Sequence, residues 1–312
     1  MGSKPISPRN SMYRGRFAPS PTGPLHFGSL VAALGSYLDA RHQGGQWLVR
    51  IEDLDPPREV PGAAQQILDT LEDFGLEWDG PIVYQSGRTE HYRDALAQLR
   101  KTGLCYPCGC TRKEIRQRTA RRIPTGKGGL IYPGTCRRGL QPGRTAAVTR
   151  IRTPSQALSV DDLLQGSYSQ LLERDCGDFV LLRRDGYFAY QLAVVVDDFQ
   201  QGVTHVVRGC DLLDSTPRQI YLCQLLRYPV PSHMHLPIAV DADGQKLSKK
   251  TGALPLGAEL REQTLMRALE FLGQAPPPEL AQEDLSVVLG WATEHWDPSP
   301  LKNLKKIRIQ AN

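Results

Sequence analysis

Phe17-Ala18-Pro19-Ser20-Pro21-Thr22-Gly23-Pro24-Leu25-His26-Phe27-Gly28-Ser29 is the stretch on which the reading of this chain turns. A strand over residues 13–18 breaks at a Pro/Gly turn, and a helix restarts at Ser29. Leu30, Ala33, Leu34, Tyr37 and Leu38 carry helical spacing as far as Arg41. A strand–turn–helix junction aims free backbone N–H groups and the positive end of the helix dipole at the turn, which makes a seat for phosphate. Gly28 removes a side chain where a ligand must come close, and His26 adds a polar donor beside the seat. A second stretch, Lys246-Leu247-Ser248-Lys249-Lys250, follows a turn at Asp241-Ala242-Asp243-Gly244. Lysine heads on such a loop can neutralise a polyphosphate.

Between these stretches strands and helices alternate. Residues 46–52 read as a strand ending in Glu52-Asp53-Leu54-Asp55-Pro56-Pro57-Arg58. Val60, Ala63, Ala64, Ile67, Leu68, Leu71 and Phe74 form a helical stripe. Residues 82–84 make a short strand, and Tyr92, Ala95, Leu96 and Leu99 mark a helix closed by Gly103. That alternation argues for a parallel α/β sheet. The pattern breaks over residues 105–144, which are rich in Gly, Arg and Cys. It resumes with strands at 147–151, 178–182 and 203–207, an apolar run at 192–196 closed by Asp197-Asp198, and a strand at 235–240. Thr216-Pro217-Arg218-Gln219 reads as a capping box opening a helix with Ile220, Leu222, Leu225 and Leu226. Two further helices are expected near 265–272 and 285–296.

The chain has 312 residues, 40% hydrophobic and 23% charged, the composition of a globular protein rather than of a disordered or membrane-spanning one. Residues 1–12 are polar, have no apolar signal core, and are expected as a disordered tail. Of seven cysteines, four fall between Cys105 and Cys136. Such clustering points to a reduced, cytoplasmic protein and a metal site rather than disulfides. Residues 111–144 hold ten Lys or Arg against Glu114 alone, a net +9 in a chain of +5, so the remainder sums to −4. One basic module on a mildly acidic body suggests a polyanionic partner docking in one place.

Taken together and in this order, the two opening stretches resemble the HIGH and KMSKS signatures of class I aminoacyl-tRNA synthetases, here as His26-Phe27-Gly28-Ser29 and Lys246–Lys250. The second His of the first motif is absent. Arg16 to Gly23 is similar to the glutamyl/glutaminyl branch. Arg50-Ile51-Glu52-Asp53, the run from Leu192 to Asp198, and Val207-Arg208-Gly209-Cys210-Asp211 resemble the glutamyl-Q tRNA(Asp) synthetases within it. The likeness extends over residues 13–250. The fold it implies is α/β, a Rossmann-like parallel sheet with an inserted zinc-bearing acceptor-type module and a small C-terminal helical module. The expected domains are a first catalytic half at 13–104, a basic zinc-binding insertion at 105–144, a second catalytic half with the KMSKS-like loop at 145–250, and a helical module at 251–312.

The resemblance also implies roles. His26, Lys246 and Lys249 would be catalytic, with Pro19, His26, Gly28, Ser29 and Lys249 binding ATP, which enters with Mg2+. Glutamate presents two carboxylates and an ammonium. Arginine forks suit the carboxylates and a carboxylate suits the ammonium, and the family's glutamate set falls on Arg16, Phe17, Ala18, Pro19, Ser20, Glu52, Tyr190 and Arg208. By spacing alone the thiols of Cys105, Cys108, Cys110 and Cys136 can make one structural zinc site. The family pattern instead implies Cys108, Cys110, Tyr132 and Cys136, leaving Cys105 as the competitor for the fourth position. Asp53 and Asp55 read as a metal pair or as turn caps.

The implied activity is activation of L-glutamate by ATP without tRNA, then transfer of glutamate to the queuosine base at the wobble position of tRNA(Asp), by a monomer with no membrane association. A full glutamyl-tRNA synthetase continues after its KMSKS loop into an anticodon-binding region, whereas 62 residues follow Lys250 here. Two other readings are a short glutamyl-tRNA synthetase charging tRNA(Glu) and a non-catalytic, synthetase-like RNA-binding protein.

Overall fold

The computed structural model describes residues 12–119, 130–140, 142–247, 256 and 261–309. The tail expected at 1–12, apart from Met12, lies outside these residues. So do Ser248, Lys249 and Lys250 of the second signature and Arg121 and Arg122 of the basic run.

The chain runs β1 (Arg14–Phe17), α1 (Phe27–His42), β2 (Gln46–Ile51), α2 (Ala63–Asp73), β3 (Val83–Tyr84), α3 (Thr89–Lys101), β4 (Cys105–Cys108), α4 (Arg112–Thr119) and β5 (Val148–Ile151). It continues through β6 (Leu158–Asp162), β7 (Gly166–Gln170), α5 (Leu172–Asp175), β8 (Phe179–Leu182), α6 (Tyr190–Gln200), β9 (His205–Gly209) and α7 (Thr216–Leu226). Last come β10 (Ser232–Leu236), β11 (Ile238–Val240), α8 (Arg261–Phe271), α9 (Leu285–Glu294) and β12 (Lys306–Arg308).

The sheet is parallel at its centre. β1 and β3 flank β2 in parallel, and β10 lies parallel to both β9 and β6. The two groups meet where β9 packs beside β1 and the Thr204 N–H donates to the Arg14 carbonyl at 2.9 Å. This is the α/β architecture expected from the alternation of elements. A hairpin of β6 and β7 adds the antiparallel edge. Its residues alternate weakly, with only Leu158 and Val160 apolar in β6, so a period-two reading passes over them.

The helix α1 is buried along Leu30, Leu34 and Leu38, all fully inaccessible. It packs between the sheet and α8 and α9, and Leu265, Leu269 and Val288 join the same core. Trp47 is fully buried, its indole N–H donating to Ser36 Oγ at 2.9 Å and its ring standing edge-on to Tyr37. Trp296 donates to Asp39 Oδ1 at 3.1 Å, tying the C-terminal helices to α1. A second core lies under α3, α6 and α7. The run at 192–196 is the inner part of α6, buried nearly all round, which is why it shows no polar face.

Two local expectations change. The strand at 235–240 is split by Pro237, which has no N–H to give a ladder: β10 pairs with β9, and β11 pairs with β12 instead. The capping box at Thr216 does not form. Residues 210–215 make a 3-10 turn that runs straight into α7, with Ser215 at the N-cap and no side-chain cap bond. Thr216 and Gln219 turn their side chains to Arg208 instead. A reciprocal box forms elsewhere: Glu114 accepts the Thr111 N–H at 2.8 Å while Thr111 Oγ1 accepts the Glu114 N–H at 3.2 Å, opening α4.

Candidate active site

The carboxyl ends of the parallel strands open into one cleft of about 630 Å³. Open α/β sheets bind ligands at this edge. Its lining contains Arg16, Phe17, Ala18, Pro19, Ser20, His26, Gly28, Ser29, Glu52, Tyr190, Arg208 and Lys246. The structure therefore brings together every expected ATP and glutamate residue that it describes.

The expected phosphate seat falls at the start of α1. His26 is the N-cap residue, and its Nδ1 accepts the Ser29 N–H at 3.3 Å. In the neutral ring Nε2 then carries the proton, and Ser29 Oγ lies 3.2 Å from it. A Cβ placed on Gly28 would stand 3.3 Å from the His26 ring and 3.9 Å from the Leu247 carbonyl. Glycine thus holds the seat open where the two signatures face each other. Lys246 reaches across to Asp211 Oδ2 at 2.6 Å. The same lining includes the apolar side chains Val31, Ala32, Val207, Leu236, Ile238 and Leu247, suited to flank a flat purine ring.

The cleft also has a charged side whose arginines are buried. Arg16, from β1, is 3% exposed, and its Nε donates to Asp198 Oδ1 at 3.2 Å. Arg50, from β2, is fully buried. Its Nη1 donates to the same oxygen and to Gln201 Oε1, both at 2.8 Å, and its Nη2 reaches Glu52 Oε1 at 3.4 Å. Burial alone would raise the Asp198 carboxyl, but Arg16 and Arg50 outweigh it and hold it below the usual range. At Glu52 the balance goes the other way: burial pushes its carboxyl up despite Arg50 and Arg16. Glu52 is thus an acceptor whose negative charge is under-compensated, the state that a ligand ammonium would relieve.

Arg208, from β9, lines the same cleft as Glu52 and Tyr190. Its Nη2 donates to Thr216 Oγ1 and Gln219 Oε1, each at 2.8 Å. Its Nη1 is buried and, among the described residues, has no hydrogen-bond partner. A buried unpaired guanidinium N–H beside a ligand cleft awaits an acceptor. Burial holds the Tyr190 phenol up, with Arg208 opposing. Sequence reasoning passed over the supports Asp198, Asp162 and His235. Asp197-Asp198 is visible as the end of an apolar run, but nothing local shows that Asp198 lies under Arg16.

Asp53 and Asp55 are engaged with protein partners, as the turn-cap reading expects. Asp53 caps the turn after β3, accepting the Ser86 N–H at 2.8 Å and the Ser86 hydroxyl at 2.6 Å. Asp55 pairs with Arg58 and with Arg183.

Away from the cleft, the Sγ atoms of Cys108, Cys110 and Cys136 lie within 4.8 Å of one another. The Tyr132 hydroxyl sits 3.3 Å from Cys108 Sγ and 3.7 Å from Cys110 Sγ, and accepts the Cys136 N–H at 2.9 Å. Three converging soft donors with a fourth oxygen suit zinc. Arg150 stacks on the Tyr132 ring at 3.9 Å. Gly177, at φ +67°, admits the Tyr132 backbone where a Cβ would come within 2.5 Å of its carbonyl oxygen. Cys105 is not among the converging thiols. It packs against the second core, and burial pushes its thiol up to about 11. Near the cluster, Asp178 receives both Nε and Nη2 of Arg137 at 2.7 Å, which ties the residue after Cys136 to the start of β8.

Residues 12–267 match the family model described as tRNA synthetases class I (E and Q), catalytic domain. The chain is 57% identical over 297 residues to a glutamyl-Q tRNA(Asp) synthetase of Dechloromonas aromatica, covering 95% of this chain and 98% of that protein. It is 53% identical to one from Pseudomonas aeruginosa, covering 92% and 94%. Among solved structures, a glutamate-tRNA synthetase from Elizabethkingia anophelis superimposes with a TM-score of 0.79 at 28% identity, over 96% of this chain and 68% of that one. A glutamate tRNA ligase from Elizabethkingia meningosepticum in complex with its amino acid gives 0.78 at 27%, over 96% and 67%.

Proposed function

The chain belongs to the glutamyl-Q tRNA(Asp) synthetases, within the class I tRNA synthetases of the E and Q type, and on that premise we propose that it activates L-glutamate with ATP and passes it to queuosine on tRNA(Asp). The observation that carries the glutamate assignment is the pairing of two buried guanidinium groups, Arg16 and Arg208, with one under-compensated carboxylate, Glu52, in one cleft. Two carboxylates and an ammonium are the charges of glutamate. Ser20 and Tyr190 add hydroxyls, and Phe17, Ala18 and Pro19 supply the wall.

In the first step a glutamate α-carboxylate oxygen attacks the α-phosphorus of ATP. The bond to the β-phosphate bridging oxygen breaks and pyrophosphate leaves. The reaction needs alignment and neutralisation of developing charge rather than covalent help from the protein. The start of α1 and the His26 ring hold the phosphates, Gly28 lets them approach, and the apolar lining flanks the adenine. Lys246 and Lys249 neutralise the departing pyrophosphate, and ATP brings Mg2+ with it. In the second step a hydroxyl of the queuosine cyclopentene-diol attacks the glutamyl carbonyl and AMP leaves. Cys108, Cys110, Tyr132 and Cys136 would hold a zinc ion that fixes the shape of the basic module, whose α4 faces the RNA.

The test has two parts. ATP–pyrophosphate exchange should depend on L-glutamate and need no tRNA. Labelled glutamate should then pass to tRNA(Asp) in a pool containing queuosine and not in one lacking it. Equal labelling of tRNA(Glu) in both pools would make the protein a compact glutamyl-tRNA synthetase. Absence of exchange would leave an RNA-binding protein without catalysis.

A further inference from the structure

Arg208 is held from behind by a buried histidine, and that histidine by a buried aspartate. His235 Nε2 lies 3.1 Å from Arg208 Nε, and His235 Nδ1 lies 2.5 Å from Asp162 Oδ2. Both the His235 and the Asp162 side chains are fully inaccessible. A guanidinium N–H can only donate, so His235 Nε2 must accept. The ring proton therefore sits on Nδ1, where the Asp162 carboxylate receives it. Thr216 Oγ1, 3.2 Å from Nε2, closes the arrangement on the α7 side.

We propose that Asp162 and His235 are positioning residues for glutamate recognition: Asp162 fixes the His235 tautomer, His235 fixes Arg208 through Nε, and Arg208 Nη1 is thereby aimed at a substrate carboxylate. This rests on the assignment of the cleft to glutamate. The anchoring explains why Nη2 and Nε are both satisfied while Nη1 is not. It also explains a buried aspartate and histidine that the reaction itself does not use. Burial lowers the His235 imidazole to about 4 despite its bond to Asp162, so the ring stays neutral and keeps its lone pair for Arg208.

Asp162→Asn separates positioning from mere packing. Asp162 Oδ1 accepts the N–H groups of Leu164 at 3.1 Å, Gln165 at 2.9 Å and His235 at 3.2 Å. Those three donors dictate which end of an asparagine amide would face them. Its NH2 must then point at His235 Nδ1. The imidazole has to accept there and carry its proton on Nε2, directly against the Arg208 N–H. One isosteric change at Asp162 thus turns the His235 acceptor that Arg208 relies on into a donor.

The experiment measures glutamate-dependent exchange in the full chain for wild type, Asp162→Asn, His235→Gln and Arg208→Lys, with a thermal melt of each. Imidazole 15N spectra of the wild type are assigned by their change in His235→Gln. The expected result is an Nδ1–H tautomer at His235. In Asp162→Asn the KM for glutamate should rise about 10–100-fold, the worth of one hydrogen bond to a charged group. Its KM for ATP should stay within about twofold, because the disturbed guanidinium is assigned to the glutamate carboxylate and not to the phosphates. His235→Gln, which can restore an acceptor near Arg208 Nε, should fall between Asp162→Asn and wild type. An Nε2–H tautomer in the wild type overturns the proposal. So does Asp162→Asn with wild-type glutamate KM while Arg208→Lys is impaired, or a rise in both KM values that follows loss of stability. Wild-type protein that shows no response to glutamate overturns the glutamate assignment instead, whatever the tautomer.

Discussion

Gly28 faces the carbonyl oxygen of Leu247, so that a methyl group on Gly28 would stand 3.9 Å from that oxygen and 3.3 Å from the His26 ring. Residues far apart in the chain thus border the same small space, which glycine leaves open. Gly28→Ala is expected to keep or raise stability, since alanine in a helix is worth about 0.5–1 kcal/mol over glycine. The same change should lower kcat/KM for ATP by about 10–100-fold by crowding the phosphates. Paired melting curves and exchange kinetics check the opposed signs; a parallel loss of stability and activity would show that Gly28 serves packing only.

Glu52→Gln removes a carboxylate that burial holds above its usual pKa. A raised folded pKa means that this group supports folding below its unfolded value, about 4.3, and that the support is lost as pH rises through the folded pKa. Near pH 7 the unliganded variant should therefore melt at or above the wild-type temperature. Saturating glutamate, which at a hundredfold over Kd stabilises a binding protein by about 2.7 kcal/mol, should no longer shift it. A retained glutamate shift in Glu52→Gln would remove Glu52 from the ammonium site.

Asp198 carries the reverse sign. Its carboxyl is held low by Arg16 and Arg50 against the effect of burial. Its contribution is present above the unfolded value of about 4 and is lost as pH falls through the still lower folded one. Asp162 and Asp178 are lowered as well, each against burial, chiefly by His235 and Arg137 respectively. Stability should decline below about pH 4. Asp198→Asn should flatten part of that decline and cost on the order of 3–5 kcal/mol at pH 7, because two buried guanidinium groups lose their counter-charge. Urea denaturation across the pH range measures both.

For the thiol cluster, substitution of Cys108, Cys110 or Cys136 by Ser should reduce bound zinc well below one per chain, and Cys105→Ser should leave it unchanged. Tyr132→Phe keeps the ring beneath Arg150 but removes the hydroxyl beside the sulfurs. It should weaken zinc retention against a chelator by about 10–100-fold if the phenol oxygen is a ligand or orients one. Elemental analysis after dialysis reads all of these; loss of zinc in Cys105→Ser would return that residue to the site.

The exposed face of α4 carries Arg112, Lys113, Arg116 and Arg118, with Arg118 resting on Thr135 Oγ1 at 2.9 Å. Replacing Arg112, Lys113 and Arg116 with Gln should weaken tRNA binding and reduce the slope of log K against log salt by about 0.7–0.9 for each phosphate no longer neutralised. Glutamate activation should be unchanged. Equal impairment of activation would assign these side chains to the fold instead.

What the linear order of residues determined was everything that depends on neighbours. The strand–turn–helix at Arg14–Phe17 and Phe27–His42, the helical stripes of α2 and α3, and the lysine stretch after a tight turn follow from periodicity and turn chemistry. So does a thiol cluster from spacing, though the placing of Tyr132 rather than Cys105 beside the other three thiols needed the family pattern, and β4 gives the reason: Cys105 and Cys108, three apart on one strand, face opposite sides. Tertiary structure alone decided which charges neutralise which. Arg16 and Asp198 are 182 residues apart, and Asp162 and His235 are 73 apart. No local pattern marks such partners, because burial removes the water that would otherwise satisfy each charge, and only the completed sheet brings the compensating group within reach. For the same reason Thr216 and Gln219, which read as a helix cap, are spent on Arg208: a buried guanidinium has fewer alternative partners than a helix end that continues from a 3-10 turn.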